Sequence, residues 1–322
     1  MSASLVSPFR PHAAALDARK FRDKALTAAG KRRATVPLLG LRTLWFNTGT
    51  LCNIACATCY IESSPSNDAL QYLSAAEVSA YLDEIAATGL PTTEIGFTGG
   101  EPFMNRELIA MLEMSLARGF RTLVLTNAMR PMRRSEAALL DLRARFGELL
   151  TLRVSLDHHE PAMHEAERGD GTWAVAVAGL QWLATAGFRI AVAGRMLPGE
   201  AVAPARAAYA ALFARLRIPL DAGDSERLVL FPEMDARADV PEITEECWST
   251  LGKAPSSVMC ASSRMVVHRR GETEARVASC TLLPYERAFD TGGTLAEAVR
   301  TVTLNHPHCA RFCVLGGASC GG

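Results

Sequence analysis

Three thiols stand close together in Cys52-Asn53-Ile54-Ala55-Cys56-Ala57-Thr58-Cys59-Tyr60. Thiolates at this spacing converge on one soft metal centre, an iron-sulfur cluster, zinc or cuprous ion, rather than on a hard cation. Their number matters. A cubane cluster has four irons, so three thiolates leave one iron open to a ligand from outside the protein. A structural zinc site takes a fourth protein ligand, and no cysteine or histidine stands near in sequence to serve. A disulfide would leave an odd thiol over.

Two further groups carry chemistry. Gly99-Gly100-Glu101-Pro102 lacks two Cβ atoms, so backbone can approach a ligand, and its carboxylate and carbonyls can accept hydrogen bonds from an ammonium group. Toward the C-terminus, Cys260 and Cys280 flank a predicted hairpin turning at Arg270-Gly271-Glu272, which brings two thiols together across its strands. Cys309, Cys313 and Cys320 follow, and five thiols exceed what one cluster needs. Cys247 beside Trp248 reads as a buried thiol, and Met196, Met234 and Met259 as core filler. His158 and His159 follow Asp157, but no serine stands in a nucleophile elbow, so the pair is expected on a solvent-facing loop.

These groups need a scaffold, and the chain between them supplies an alternating one. Strands are predicted over residues 43–48, 93–98, 122–126, 150–155, 189–193 and 227–231. Between them, Ser74 and Glu77 form a capping-box pattern, and Val78, Tyr81, Leu82 and Ile85 recur at helical spacing up to Gly89. Further helices are expected over 107–118, 135–146, 173–186 and 203–216. Such alternation implies parallel strands joined by right-handed crossovers. Six units fall short of a complete eight-unit barrel, and alternation alone leaves a doubly wound open sheet as the other solution. The cysteine loop follows the C-terminal end of the first strand, where barrels carry reactive groups.

Composition bounds the rest. The chain has 322 residues, 49% apolar and 21% charged, enough for a large core. Lys plus Arg and Asp plus Glu both number 34, so no overall bias draws it to nucleic acid or an acidic membrane. No run of eighteen apolar residues suggests a membrane span, and a secretory leader lacks its apolar centre. Nine cysteines then fit metal sites in a reducing cytoplasm better than disulfides. The first forty residues are basic, and are expected as a solvated helix or as a tail lying across an acidic side of the protein. Beyond Phe231, Pro232, Pro241 and six acidic residues read as a connection, followed by a small second domain held by metal more than by core.

The C-x3-C-x2-C loop with Tyr60 after it, taken with Gly99-Gly100-Glu101-Pro102, resembles the cluster and methionine-binding segments of the radical S-adenosylmethionine enzymes. The resemblance covers Leu44 to Phe231 and implies an α/β fold, a partial (β/α)6 barrel. It implies a 4Fe-4S cluster on Cys52, Cys56 and Cys59, with S-adenosylmethionine on the open iron and its amino group on Gly99 to Pro102. It further implies Tyr60 near the adenine, Thr126, Asn127 and Ser155 near ribose or methionine, and Arg168 or Arg195 on the methionine carboxylate. Such an enzyme passes an electron to the sulfonium, and the resulting 5′-deoxyadenosyl radical removes hydrogen from an unreactive carbon, as an oxidoreductase or C–H-modifying enzyme.

From Met259 to Cys320, the hairpin, a helix over 295–302 and the terminal thiols resemble the twitch and SPASM appendages of the same enzymes. The interval from Gly271 to Cys280 is longer than the usual SPASM pattern, and the terminal group is too small for two clusters. The resemblance therefore implies one auxiliary 4Fe-4S cluster, on Cys260, Cys280 and two among Cys309, Cys313 and Cys320, for electron transfer or substrate binding; zinc is the alternative. Three parts are expected: residues 1–42 as a basic extension, 43–231 as the barrel, and 232–322 as linker and auxiliary domain. The expected partners are a small-molecule or peptide substrate and a reducing electron-donor protein. With no additional N-terminal domain of a size to hold a leader peptide, the substrate leans to a small molecule or short peptide. The competing class is a non-catalytic iron-sulfur or zinc-stabilised binding protein.

Overall fold

After a two-residue strand, β1 (Thr35–Val36), the chain alternates through β2 (Thr43–Asn47), α1 (Ala75–Thr88), β3 (Glu94–Thr98), α2 (Leu108–Ala117), β4 (Arg121–Thr126), α3 (Arg130–Arg133), α4 (Glu136–Phe146) and β5 (Leu150–Ser155). It continues through α5 (Pro161–Arg168), α6 (Thr172–Thr185), β6 (Arg189–Arg195), α7 (Val202–Leu216) and β7 (Leu228–Phe231). The remainder holds α8 (Cys247–Leu251), β8 (Ser263–Val267), β9 (Arg276–Ala278), β10 (Asp290–Gly292), β11 (Val302–Thr303) and a π-helix at Cys309–Leu315. This computed structural model describes residues 7–10 and 14–317. The local signals act as expected at α1, where Ser74 and Glu77 form a reciprocal capping box and Gly89 closes the helix in the left-handed conformation.

Strands β2 to β7 are parallel and lie side by side in chain order. That order decides between the two candidate sheets, because a doubly wound sheet reverses direction after its first strands and a barrel does not. The fold is α/β, a partial (β/α)6 barrel. Leu44, Phe46, Ile95, Phe97, Val124 and Leu152 face outward, under the apolar stripes of the helices. Trp45 and Leu123, from alternate positions, face inward.

The residues beyond 232 cover that inner face. β8 pairs parallel with β2, and β9 and β10 extend the same sheet antiparallel. Val240, Ile243, Val258, Met265, Leu283 and Phe289 build an apolar core against Trp45 and Leu123. The part expected to be held by metal more than by core has a sizeable apolar core of its own, each such buried side chain contributing about 1.5–3 kcal/mol. These residues come from turns and short strands, so no period announced them. Residues 295–302 are also not helical; Leu295 and Ala298 drop into the core from consecutive turns before β11.

The basic leader contains no helix among the described residues. It lies across the acidic linker, with Lys20 on Asp239 at 2.7 Å, Lys31 on Glu246 at 2.7 Å and Arg33 on Glu242 at 2.6 Å, and β1 pairs with β11. Among the described residues no helix is long and apolar enough to cross a membrane.

Candidate active site

A cavity of about 180 Å³ opens where the barrel strands end, with Thr98, Thr126, Ser155, Ala193 and Phe231 each contributing from a successive strand. Cys52, Cys56, Cys59 and Tyr60 form one side of it, and Gly99 and Gly100 lie beside them. The two segments are stitched together: Gly100 N–H donates to Gly49 O at 2.8 Å and Glu101 N–H to Leu51 O at 3.1 Å. A Cβ on Gly100 would stand 2.3 Å from Leu51 O, so only glycine lets the strands' ends approach this closely. Asn127, Arg168 and Arg195 complete the predicted residues on the cavity.

Glu101 and Pro102 do not line it. Glu101 turns away beneath the floor, accepting from Asn127 N–H at 2.8 Å, Thr126 Oγ1 at 2.9 Å and Phe103 N–H at 3.2 Å. Its carboxylate therefore sets the end of β4 instead of presenting itself to an ammonium group. Burial pushes its pKa up to about 7 against those three hydrogen bonds. Pro102 starts a short 3-10 turn.

The two arginines hold partners within the protein. Arg168 donates through Nε and Nη2 to the Asp157 carboxylate at 2.7 and 3.0 Å. Burial would raise the Asp157 carboxyl, but Arg168 and Arg195 hold it below its ordinary value. Arg195 bridges Glu167 and Glu233, both at 2.9 Å, and lies over the Phe9 ring at 4.5 Å. The expected free fork for a methionine carboxylate is thus engaged in each case by a protein carboxylate that follows a strand or ends a helix.

Glu167 is the residue that sequence reasoning passed over. Its carboxylate accepts from Thr58 N–H and Thr58 Oγ1, both at 2.8 Å, and from Ser7 Oγ at 2.5 Å, while its own carbonyl accepts from Ala57 N–H at 2.8 Å. The stretch between Cys56 and Cys59 is thereby clamped to the end of α5. The available signal was an acidic residue next to Arg168, too common to single out.

The loop suits a thiolate-bound cluster. Burial pushes Cys52 up to about 11 and Cys56 up to about 12, so both are neutral thiols unless metal holds them charged. Arg168 acts on both in the lowering sense. Among the described residues, His158, His159 and Glu200 bring their ligand atoms within 4.8 Å of one another.

His158 is buried, not solvent-facing: its ring lies tilted against His159 with centroids 4.0 Å apart and reaches Phe9 at 6.3 Å. Its Nδ1 accepts from Glu160 N–H at 3.1 Å, so in the neutral ring Nε2 carries the proton and faces Glu200. Nε2 stands 3.9 Å from Glu200 Oε1, beyond hydrogen-bond reach, and has no hydrogen-bond partner among the described residues. Met259 is buried, whereas Met196 and Met234 are half-buried and Met234 lines the cavity. Cys247 is half-buried and accepts from Thr244 N–H at 3.3 Å.

A second, much smaller cavity of about 20 Å³ is lined by Cys260, Cys280, Cys309 and Cys313. Cys260 and Cys280 are set at the hairpin's outer ends, and the π-helix presents Cys309 and Cys313. Burial pushes Cys260 up to about 11 and Cys309 well above its ordinary value, with Cys280 and Cys260 adding to the latter. Cys320 lies outside the described residues. Leu282 lines both cavities and Phe312 the larger one.

A family model of the Radical SAM superfamily matches residues 46–212. The antilisterial bacteriocin subtilosin biosynthesis protein AlbA of Bacillus subtilis is 29% identical over 169 residues, 52% of this chain and 35% of AlbA. The chain thus spans little more than a third of that curated relative. Among solved structures, Streptococcus suis SuiB bound to S-adenosylmethionine superposes with a TM-score of 0.56 at 9% identity, over 80% of this chain and 63% of SuiB. SuiB bound to its precursor peptide SuiA gives 0.56 at 10%, over 81% and 63%. Native anSMEcpe with bound AdoMet gives 0.55 at 13%, over 80% of each chain. At these identities the structural likeness is one of fold.

Proposed function

The chain belongs to the Radical SAM superfamily, and from that premise we propose that it binds a 4Fe-4S cluster on Cys52, Cys56 and Cys59, holds S-adenosylmethionine beside it, and modifies a C–H bond of a peptide. The observation that carries this reading is the convergence of those three thiols and Gly99-Gly100 on one cavity at the barrel's strand ends. When bound, the cluster and S-adenosylmethionine supply reductive cleavage of the sulfonium and a 5′-deoxyadenosyl radical able to take hydrogen from an unreactive carbon. The protein's own part is position and exclusion of water. Tyr60, Gly99, Gly100, Thr126, Asn127 and Ser155 are the proposed cofactor neighbours. Arg168, paired with Asp157, is the cation that acts on the Cys52 and Cys56 thiols, and Arg195 lines the same cavity. Phe231, Met234, Leu282 and Phe312 form an apolar wall suited to an unactivated hydrocarbon side chain. A peptide substrate is favoured by the relatives, a bacteriocin biosynthesis protein and a structure bound to a precursor peptide.

The second part of the proposal is an auxiliary 4Fe-4S cluster on Cys260, Cys280, Cys309 and Cys313, in the manner of a twitch or SPASM appendage. Its support is the shared cavity of these four thiols. Four protein ligands leave no iron open, which favours electron transfer to or from the substrate over direct substrate binding. A reducing protein is the proposed electron donor, and 43–231 and 232–322 are the proposed catalytic and auxiliary parts.

Anaerobic reconstitution followed by iron counting tests both parts. The expected content is about eight irons, two cubanes, with 5′-deoxyadenosine formed under strong reductant. Cys56→Ala abolishes that product, and Cys280→Ala keeps part of it. A fully loaded protein that forms no 5′-deoxyadenosine sinks the catalytic reading, and equal loss from both variants sinks the division into two centres.

A further inference from the structure

We infer that Arg264 is the buried counter-charge of the C-terminal thiol group, and that it raises the reduction potential of the cluster those thiols hold. This rests on the auxiliary-cluster reading above. Arg264 is fully buried at the start of β8, four residues after Cys260. Its guanidinium donates only to main-chain carbonyls: Nη1 to Cys260 O at 2.6 Å and Ser263 O at 2.8 Å, Nε to Ala298 O at 3.0 Å, and Nη2 to Arg300 O at 3.0 Å. The two arginines on the larger cavity, Arg168 and Arg195, each meet a carboxylate. Among the described residues Arg264 has none within 4.0 Å, so hydrogen bonds satisfy its donors while its charge stays uncompensated.

The ionisable groups that act on it are the thiols of Cys260 and Cys280, both raising its pKa against a burial that pushes it down to about 10. As neutral thiols they offer no charge. As cluster ligands they do, since four thiolates outweigh the charge of an oxidised cubane and leave a net negative centre. One added electron makes that centre more negative, and a fixed cation held on the Cys260 carbonyl favours the reduced form, which raises the potential.

The test uses the full chain with Cys52, Cys56 and Cys59 all changed to alanine, so that iron arises from the C-terminal thiols alone. The expected content is about four irons; an iron-free protein overturns the auxiliary-cluster reading and this inference with it. In a redox titration followed by electron paramagnetic resonance, Arg264→Gln is expected to lower the ratio of reduced to oxidised cluster at fixed potential about tenfold, 59 mV for one electron. Arg264→Lys keeps the charge and is expected to keep the potential, although it loses the fork. An unchanged potential in Arg264→Gln, or an equal fall in both variants, overturns the inference and leaves the cluster standing. If Arg264→Gln does not load, Arg264→Lys decides alone: loaded at the parent potential it supports the counter-charge, and unloaded it overturns it.

Discussion

Glu101 serves the site without touching the cavity. In the folded protein burial raises it to about 7, whereas in the unfolded chain it titrates near 4.5. Between those values the folded state keeps a proton that the unfolded chain has lost, so Glu101 makes stability fall as pH rises through the window. The shift corresponds to roughly 3 kcal/mol. Denaturant unfolding measured from about pH 4.5 to about pH 7 is therefore expected to lose stability in the wild type and to lose less by that order in Glu101→Gln; matching slopes would remove Glu101 as their source. The sequence located this residue at a strand end and assigned its carboxylate to a ligand. In the structure that carboxylate accepts from the Asn127 N–H and Thr126 hydroxyl, because a turn residue's direction depends on the neighbouring strand, which only the three-dimensional order of β3 and β4 brings near.

At the scale of elements, the six barrel strands were legible because both their apolar runs and the helices between them are periodic. Helix α5 was not, although Pro161 at its start and Gly169 after its end are proper boundary signals. The residues it buries are His164 and Glu167, so it carries no apolar stripe to read. Yet this helix holds the cysteine loop. Glu167→Ala would orphan Thr58 N–H, the Thr58 and Ser7 hydroxyls and one branch of Arg195, at about 1–3 kcal/mol for each group left buried and unpaired. The expected outcome is at least a tenfold fall in 5′-deoxyadenosine formation and loss of iron from the first site on gel filtration. Glu167→Gln, which keeps an acceptor for Thr58, recovers part of both. Full iron retention in the alanine variant would mean that the loop is held without α5.

For the whole molecule, the leader and the acidic linker were each visible as charge runs, but their mutual pairing depends on the chain returning from β7 to β11. Their contact centres on Glu242, which accepts from Phe21 N–H at 2.7 Å, Ala28 N–H at 2.6 Å and Arg33 Nη2 at 2.6 Å. Arg33→Met leaves that carboxylate buried with its cation gone, at a cost of about 3–5 kcal/mol. Denaturant unfolding is expected to show that loss, and a double variant with Glu242→Gln to show less than the sum of the two single changes. A loss below about 1 kcal/mol, the range of an exposed pair, would mean that the leader is only laid on the surface.

The C-terminal segment works as a cork in a barrel that stops at six units. It seals the inner face with Met265, Leu283 and Phe289, and it turns two side chains, Leu282 and Phe312, toward the larger cavity. Those two neighbour the thiols without being thiols. Pocket shape can therefore be recut from the cork side, by changing two apolar residues, while every cysteine and every barrel strand stays as it is.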